Sequence, residues 1–407
     1  MKRWISFFIL SLLLSPVYLK DTLSQNWEFS DAVISNDGLY ALTNESAIIK
    51  LDNHGNKVWE AKIPADITLK HLIPTKDGVL LAGEILVRLD GNGNLLWAKN
   101  VSTDVVTVLP DGEVAFANKN ILGLLSQDGN PLWARRLVLK TNETSPGRGI
   151  DLTAVVPLHN AILLIGIATI PNDPKSHLLI GAVSLNGTLL WAKVFDTGYY
   201  DRPDVGASFE KSGLVAGVYG GGSDAPWISE YFVLKVSPDG EVEWFNSYYC
   251  PHKEEWDDFW SMKVLGMACN GTCAVGTTTG TFIINASGDI ERYSNVTGKS
   301  LRISNDSILV LSNGTLIMVN PRNGSEGKCY TAKVEFREMP INLTIAKAEL
   351  KVSDVMVEPV IKRYAADDNT EPGMEGKRGD DRLNVALPAV ILAGIALVIG
   401  ILLRNSR

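Results

Sequence analysis

The side chains that could do chemistry in this chain are few, and their spacing narrows what they could do. The five histidines are His54, His71, His159, His177 and His252. None of them stands in a His-x-x-x-His pair, and no Cys-x-x-Cys accompanies them, so the pattern a zinc centre draws from one element is missing. Hard oxygen ligands are better supplied. Asp201, Asp204, Asp257 and Asp258 would suit calcium if the fold brought them together. Two Asp-rich turns, Asp52 to Asn56 and Asp90 to Asn94, carry Ile63 and Val101 where a calcium loop ends in Glu, so they read as hairpin turns. No Gly-x-Ser-x-Gly elbow, phosphate loop or dinucleotide fingerprint occurs. The expectation is therefore no catalytic residue, no resident metal and no cofactor, with calcium as the alternative. Cys269 and Cys273 flank a three-residue turn and are expected to form a disulfide, while the pairing of Cys250 and Cys329 stays open.

Aromatic and charged residues concentrate in two stretches. Tyr199, Tyr200, Asp201, Arg202 and Asp204 form the first, and Trp227, Tyr248, Tyr249, Trp256, Asp257, Asp258 and Trp260 extend through the second. Such a mixture suits a binding face for a protein or glycan partner. The competing reading is that these aromatics fold their own loops into small local cores.

The elements that position these residues show themselves as a repeat. Five segments share an apolar run, a turn ending in Gly, and Trp four residues later: Gly55 with Trp59, Gly93 with Trp97, Gly129 with Trp133, Gly187 with Trp191, and Gly240 with Trp244. Two degenerate copies follow, with Arg292 after Gly288 and Lys328 after Gly324. An earlier turn precedes each copy, as in Asn36-Asp37-Gly38 and Lys76-Asp77-Gly78. Asp-Gly and Asn-Gly between alternating apolar runs are strong hairpin signals. Seven units of about 44 residues, each with four strands, predict an all-β, seven-bladed propeller over residues 26–335, with six or eight blades as alternatives. In the second unit the strands are expected at Ile67–Pro74, Val79–Gly83, Ile85–Leu89 and Leu95–Lys99. The repeated Trp residues are expected to pack between adjacent blades. Turn spacings widen in the fourth and fifth units, which predicts insertions of about ten residues between their second and third strands. Those insertions and the longer links between units lie on one end of the ring, opposite the tight turns.

The Leu-Asp-x-x-Gly-x-x-x-Trp-like segments resemble the short repeats of the quinoprotein-like superfamily, which includes pyrroloquinoline-quinone dehydrogenases and outer-membrane assembly lipoproteins. They are most similar to archaeal-type cell-surface propellers with a signal peptide and a C-terminal anchor. The chain lacks the Thr-Gly before the Trp, and the adjacent Cys-Cys pair, of the quinone enzymes. What the resemblance implies is thus the propeller fold, without the quinone.

The ends and the charge complete the reading. Residues 1–25 carry Lys2 and Arg3 before an apolar run, as a signal peptide or signal anchor does. Residues 336–364 read as a β-rich extension and 365–384 as a flexible stalk. Residues 385–403 are uncharged and long enough for one transmembrane helix, followed by a basic tail at 404–407 that favours the cytoplasm. An extracellular propeller on a single-pass cell-membrane anchor is expected. Eleven Asn-x-Ser/Thr sequons fit that side: Asn44, Asn100, Asn142, Asn186, Asn270, Asn285, Asn295, Asn305, Asn313, Asn323 and Asn342. A net charge of −8 argues against a nucleic-acid partner. The function expected is a binding or scaffold module for a protein or glycan; the alternative is an extracellular propeller enzyme, either a quinoprotein-like oxidoreductase or a hydrolase.

Overall fold

The computed structural model describes residues 28–364, apart from 53–54, 65, 104, 140–148, 171, 222–224, 250–258, 305–306, 320–329 and 341, and apart from the side chains of 225–228. The strands form seven antiparallel sheets, one per repeat. Blade 1 is β1 (Phe29–Ser35), β2 (Gly38–Thr43), β3 (Ala47–Leu51) and β4 (Lys57–Lys62). Blade 2 is β5 (Leu69–Thr75), β6 (Gly78–Gly83), β7 (Leu86–Asp90) and β8 (Leu95–Lys99), within two residues of the strands read from the sequence. Blade 3 is β9 (Val105–Val108), β10 (Val114–Asn118), β11 (Ile121–Leu125) and β12 (Pro131–Leu139). Blade 4 is β13 (Ile150–Leu158), β14 (Ala161–Thr169), β15 (Ser176–Ser184) and β16 (Leu189–Asp196). Blade 5 is β17 (Tyr200–Phe209), β18 (Ser212–Gly221), β19 (Ala225–Val236) and β20 (Val242–Tyr249). Blade 6 is β21 (Val264–Asn270), β22 (Thr272–Thr277), β23 (Thr281–Ile284) and β24 (Ile290–Ser294). Blade 7 shows β25 (Lys299–Ser304), β26 (Ser307–Ser312) and β27 (Thr315–Val319).

The middle strands read as continuous apolar runs because both of their faces are covered. Every residue of β6 is buried. One face of blade 2 packs on blade 1 through Leu81, Val79 and Tyr40, and the other packs on blade 3 through Leu80 and Phe116. The ring closes between blades 7 and 1, where Leu309, Leu311 and Leu316 pack against Phe29, Ala41 and Ile49. The Phe29 N–H donates to the Gly314 carbonyl at 3.0 Å across that seam.

The repeated Trp residues interlock neighbouring blades. Each indole N–H reaches the third-to-fourth-strand turn of the next blade: Trp59 to Gly91, Trp97 to Gln127, Trp133 to Leu185, Trp191 to Pro238 and Trp244 to Ala286, at 2.7–3.0 Å. The turn glycine lies flat on the ring it receives. Gly93 has φ +84° and a Cβ there would stand 3.1 Å from the Trp59 ring, so the spacing of Gly and Trp in the repeat is a demand of blade n+1 on blade n. A Cβ on Gly55, the first turn glycine, would meet nothing within 4 Å, because blade 7 brings no Trp to it among the described residues.

Two expectations change. The insertions in blades 4 and 5 are taken up largely by longer strands, reaching 12 residues in β19, so these blades stand taller at that end. Tyr200, Asp201, Arg202 and Asp204 are accordingly strand residues of β17. The seventh copy, Gly324 with Lys328, lies outside the described residues. Just past it, strand β28 (Tyr330–Lys333) pairs with β20 of blade 5. The chain then runs backwards around the outer rim. Strand β29 (Arg337–Met339) joins β16, and β30 (Leu343–Lys347) joins β12. A bridge links Asp354 to Lys99 of blade 2, and β31 (Val360–Arg363) joins β4. This belt gives four blades a fifth strand and covers edges that would otherwise offer unpaired backbone to another chain. Charged pins fasten it: Lys99 to Asp354 at 2.6 Å and Arg337 to Asp196 at 3.0 Å.

Cys269 and Cys273 are bonded across the β21–β22 turn, with their Cα atoms 4.1 Å apart. The loop it closes is short, so reduction should cost about 2 kcal/mol by loop-closure entropy. Thermal unfolding with and without reductant checks this; a collapse of the whole ring on reduction would show a larger role. No helix among the described residues is long and apolar enough to cross a membrane. The segments 1–25, 365–384, 385–403 and 404–407 lie outside the described residues, as do Cys250 and Cys329.

Candidate functional site

Two places gather polar chemistry. One is the central channel, where the first strands of all seven blades wall a cavity of about 650 Å³. Asp31 dominates it. The residue is only 3% exposed, yet its carboxylate accepts the Leu72 and Ala32 N–H groups at 2.8 Å and Lys299 Nζ at 2.5 Å. It thereby ties blade 1 to blade 2 on one side and to blade 7 on the other. Thr153 presents to the same cavity a buried hydroxyl with no hydrogen-bond partner among the described residues. Sequence reasoning does not single out Asp31. The only signal is a lone acid entering the apolar run Ala32-Val33-Ile34 of an innermost strand.

The other place is the tall end of blades 4 and 5. Arg202 is its keystone. Its guanidinium pairs with Asp204 at 3.2 Å, donates to the Phe259 and Met262 carbonyls, and lies 5.1 Å over the Phe259 ring. Asp204, which also lines the central channel, accepts the Val264 N–H at 2.8 Å, which joins blade 5 to blade 6. Burial raises the Asp204 carboxyl above its ordinary range, against the pull of Arg202. Asp201 is 1% exposed and accepts Thr197 Oγ1 at 2.7 Å. Burial pushes its pKa up to about 7, opposed by the Thr197 and Leu178 hydrogen bonds.

Because the folded pKa of Asp201 lies above the ordinary 3.8, the stability it confers is fully present below about pH 4 and is lost as pH rises through 7. Asp201→Asn should remove this loss and gain on the order of 2–4 kcal/mol at pH 8 relative to the parent. Denaturant melts at pH 5 and pH 8 check it; an unchanged pH slope would refute it.

Nearby, His177 is fully buried, with Nε2 3.1 Å from Asp173 and Nδ1 3.9 Å from Asp196. Burial works against the Asp196 carboxylate, but the Gly198 N–H, Lys175, His177 and Arg337 together hold it below its usual range. Among the described residues no group of three His, Cys, Asp or Glu is placed to hold a metal ion. Asp201 and Asp204 each answer to a separate partner, and Asp257 and Asp258 lie outside the described residues.

The aromatics divide. Tyr248, expected on a binding face, is instead fully buried and stacks on Phe282 at 4.9 Å. Tyr200 packs on Phe259 within the same core, and Tyr199 lies on Tyr219 at 5.8 Å. Tyr249 and Trp260 face solvent, 52% and 58% exposed. Trp227 lies on β19, but its side chain is outside the described part of the structure, and Trp256 lies outside the described residues altogether.

No family model matches this chain, and no curated protein matches it. The solved structures do. Hydrazine synthase of Kuenenia stuttgartiensis is similar at a TM-score of 0.52 and 9% identity, covering 73% of this chain and 97% of that one. BamB from Moraxella catarrhalis aligns at a TM-score of 0.40 and 12% identity, over 71% of this chain and 95% of its own. A computationally designed protein, Ika8, aligns at 0.43 and 10% identity, over 73% and 97%. At 9% identity the likeness to hydrazine synthase is one of fold alone.

Proposed function

We propose that the protein is a membrane-anchored extracellular propeller that acts as a binding or scaffold module, with the tall end of blades 4 and 5 and the adjoining link to blade 6 as its contact surface. The observation that carries this reading is the division of the aromatics. Tyr200, Tyr248 and Phe259 build a small core, and that core holds Tyr249 and Trp260 outward. Exposed aromatics on a rigid base bind with little entropy to lose. The polar groups of the channel support the same reading, since Asp31 and Asp204 are taken up in holding blades together. Sequons are absent from the whole stretch between Asn186 and Asn270, which leaves blade 5 free of glycan. The signal segment, the apolar stretch at 385–403 and the sequons are the grounds for the extracellular side and the single-pass anchor. The anchor in the membrane and a protein or glycan on this surface are the partners proposed, and no catalytic role or cofactor is.

The test is photocrosslinking on intact cells. A photoreactive residue at Trp260 should yield discrete adducts, whereas one at Leu132, exposed near the opposite end of blade 3, should not. Equal labelling from both would overturn the reading. So would a quinone or metal found in stoichiometric amount by absorbance and elemental analysis of the purified protein.

A further inference from the structure

The belt does more than cover an edge at blade 5; it finishes a row of side chains. Asp201 of β17 pairs with Tyr219 of β18, and Tyr219 pairs with Glu230 of β19. Tyr231 pairs with Tyr248, so the next step of that register sets Glu230 opposite Tyr249 of β20. Tyr249 in turn pairs with Tyr330 of the belt strand β28. Cross-strand partners share one face of a sheet. The row Asp201, Tyr219, Glu230, Tyr249, Tyr330 therefore crosses all five strands on the side of blade 5 that faces blade 4. Tyr219 packs there against the cluster formed by Leu163 and Ile165 with Phe232 and Phe245. The row passes from interior to solvent as it moves outward. Asp201 is buried, Tyr219 and Glu230 are half-buried, and Tyr249 and Tyr330 are 52% and 57% exposed.

The chemistry of the row is one-sided. Its only charged side chains are carboxylates. Glu230 sits between tyrosines, accepting the Tyr219 hydroxyl on Oε2 at 2.9 Å. Among the described residues, two cations of this end are engaged elsewhere: Lys175 donates to the Gly198 carbonyl, and Arg337 pairs with Asp196. Lys333 of the belt pairs with Asn246, three residues along from Tyr330, and so stands on the opposite face. A carboxylate flanked by tyrosine rings attracts a cation twice, by charge and by the ring quadrupole. The chain's net charge of −8 adds long-range attraction of the same sign.

We propose that this row is a docking rail for a basic segment of a partner protein, an Arg or Lys side chain lying between Tyr249 and Tyr219 with its charge on Glu230. The proposal rests on the reading of this end as a binding surface and names the chemistry of its partner.

The experiment uses the full chain in detergent micelles and a fluorescent Arg-rich peptide, with the same peptide carrying neutral citrulline for each Arg. Anisotropy should show the Arg peptide binding at least about tenfold more tightly than the citrulline peptide, with affinity falling as salt rises. Glu230→Gln should weaken binding by about tenfold, as should Tyr249→Ala with Tyr330→Ala, while Tyr249→Phe, which keeps the ring, should bind as the parent does. Both tyrosines are exposed, so melting temperatures of these variants should match the parent. Equal binding of the two peptides, or indifference to the variants, would overturn the proposal. So would binding of neutral chito- or manno-oligosaccharides that the Tyr variants abolish, which would make the rail a sugar site. Crosslinking from Trp260, repeated in these variants, separates the two ideas. If the peptide does not bind yet the Trp260 adducts persist, the rail falls and the binding surface stands.

Discussion

Replacing Trp59 by alanine should destabilise the protein by about 3–5 kcal/mol, the largest loss among the repeated tryptophans. Trp59 is 1% exposed, meets Tyr40 edge-on at 5.8 Å and donates its indole N–H to Gly91 at 3.0 Å. Its removal would leave a cavity between blades 1 and 2, strip Gly93 of the surface it lies on, and take one donor from the Gly91 carbonyl. That carbonyl keeps a second donor, because Lys50 Nζ also reaches it at 2.8 Å from its pairing with Asp37. Trp191→Ala, at a half-buried ring, should cost visibly less. Denaturant unfolding of the two variants gives the comparison. Equal losses would mean that the repeat, and not burial, sets the energy.

Asp31→Ala should cost about 3 kcal/mol, with a broadened or two-step transition as the sign of a loosened ring. Its carboxylate is the junction of blades 1, 2 and 7, and removing it leaves the Leu72 N–H and the Lys299 ammonium without this acceptor. Lys299 is about one-third exposed and can turn to water, which holds the loss at the low end for a broken buried pair. Asp31→Asn keeps an acceptor for Leu72 but not the charge for Lys299, and should fall between the two. A fully stable Asp31→Ala protein would show that the seam between blades 7 and 1 relies on Leu309, Leu311 and Phe29 alone.

The blades were legible because their signals are local. Asp77-Gly78 and Asp90 to Gly93 set hairpins through turn geometry, and the apolar runs between them could only be strands covered on both faces. The belt was not legible in the same way. Tyr330–Lys333 is exposed at every position, so its side chains carry no alternation from which a register could be read. Its place is set by backbone pairing to a strand more than eighty residues earlier, and by pins such as Arg337 to Asp196.

The same division runs through the candidate site. Composition alone picks out Tyr199 to Asp204 and Tyr248 to Trp260, because aromatics and charges cluster there in the chain. It cannot tell Tyr248 from Tyr249, since one residue of strand alternation sends the first into the core and the second to solvent. Nor can it join Tyr219, Glu230 and Tyr330 to them, because a cross-strand row exists only once register is set. The repeating blade unit, its turns and the tryptophans that lock it follow from the order of residues alone, since each is a property of neighbours along the chain, while the count of seven is fixed by the sheets themselves. Which aromatics face solvent, which acids hold the ring together and what the C-terminal segment pairs with emerge only on folding, because they depend on which face of a strand meets which neighbour.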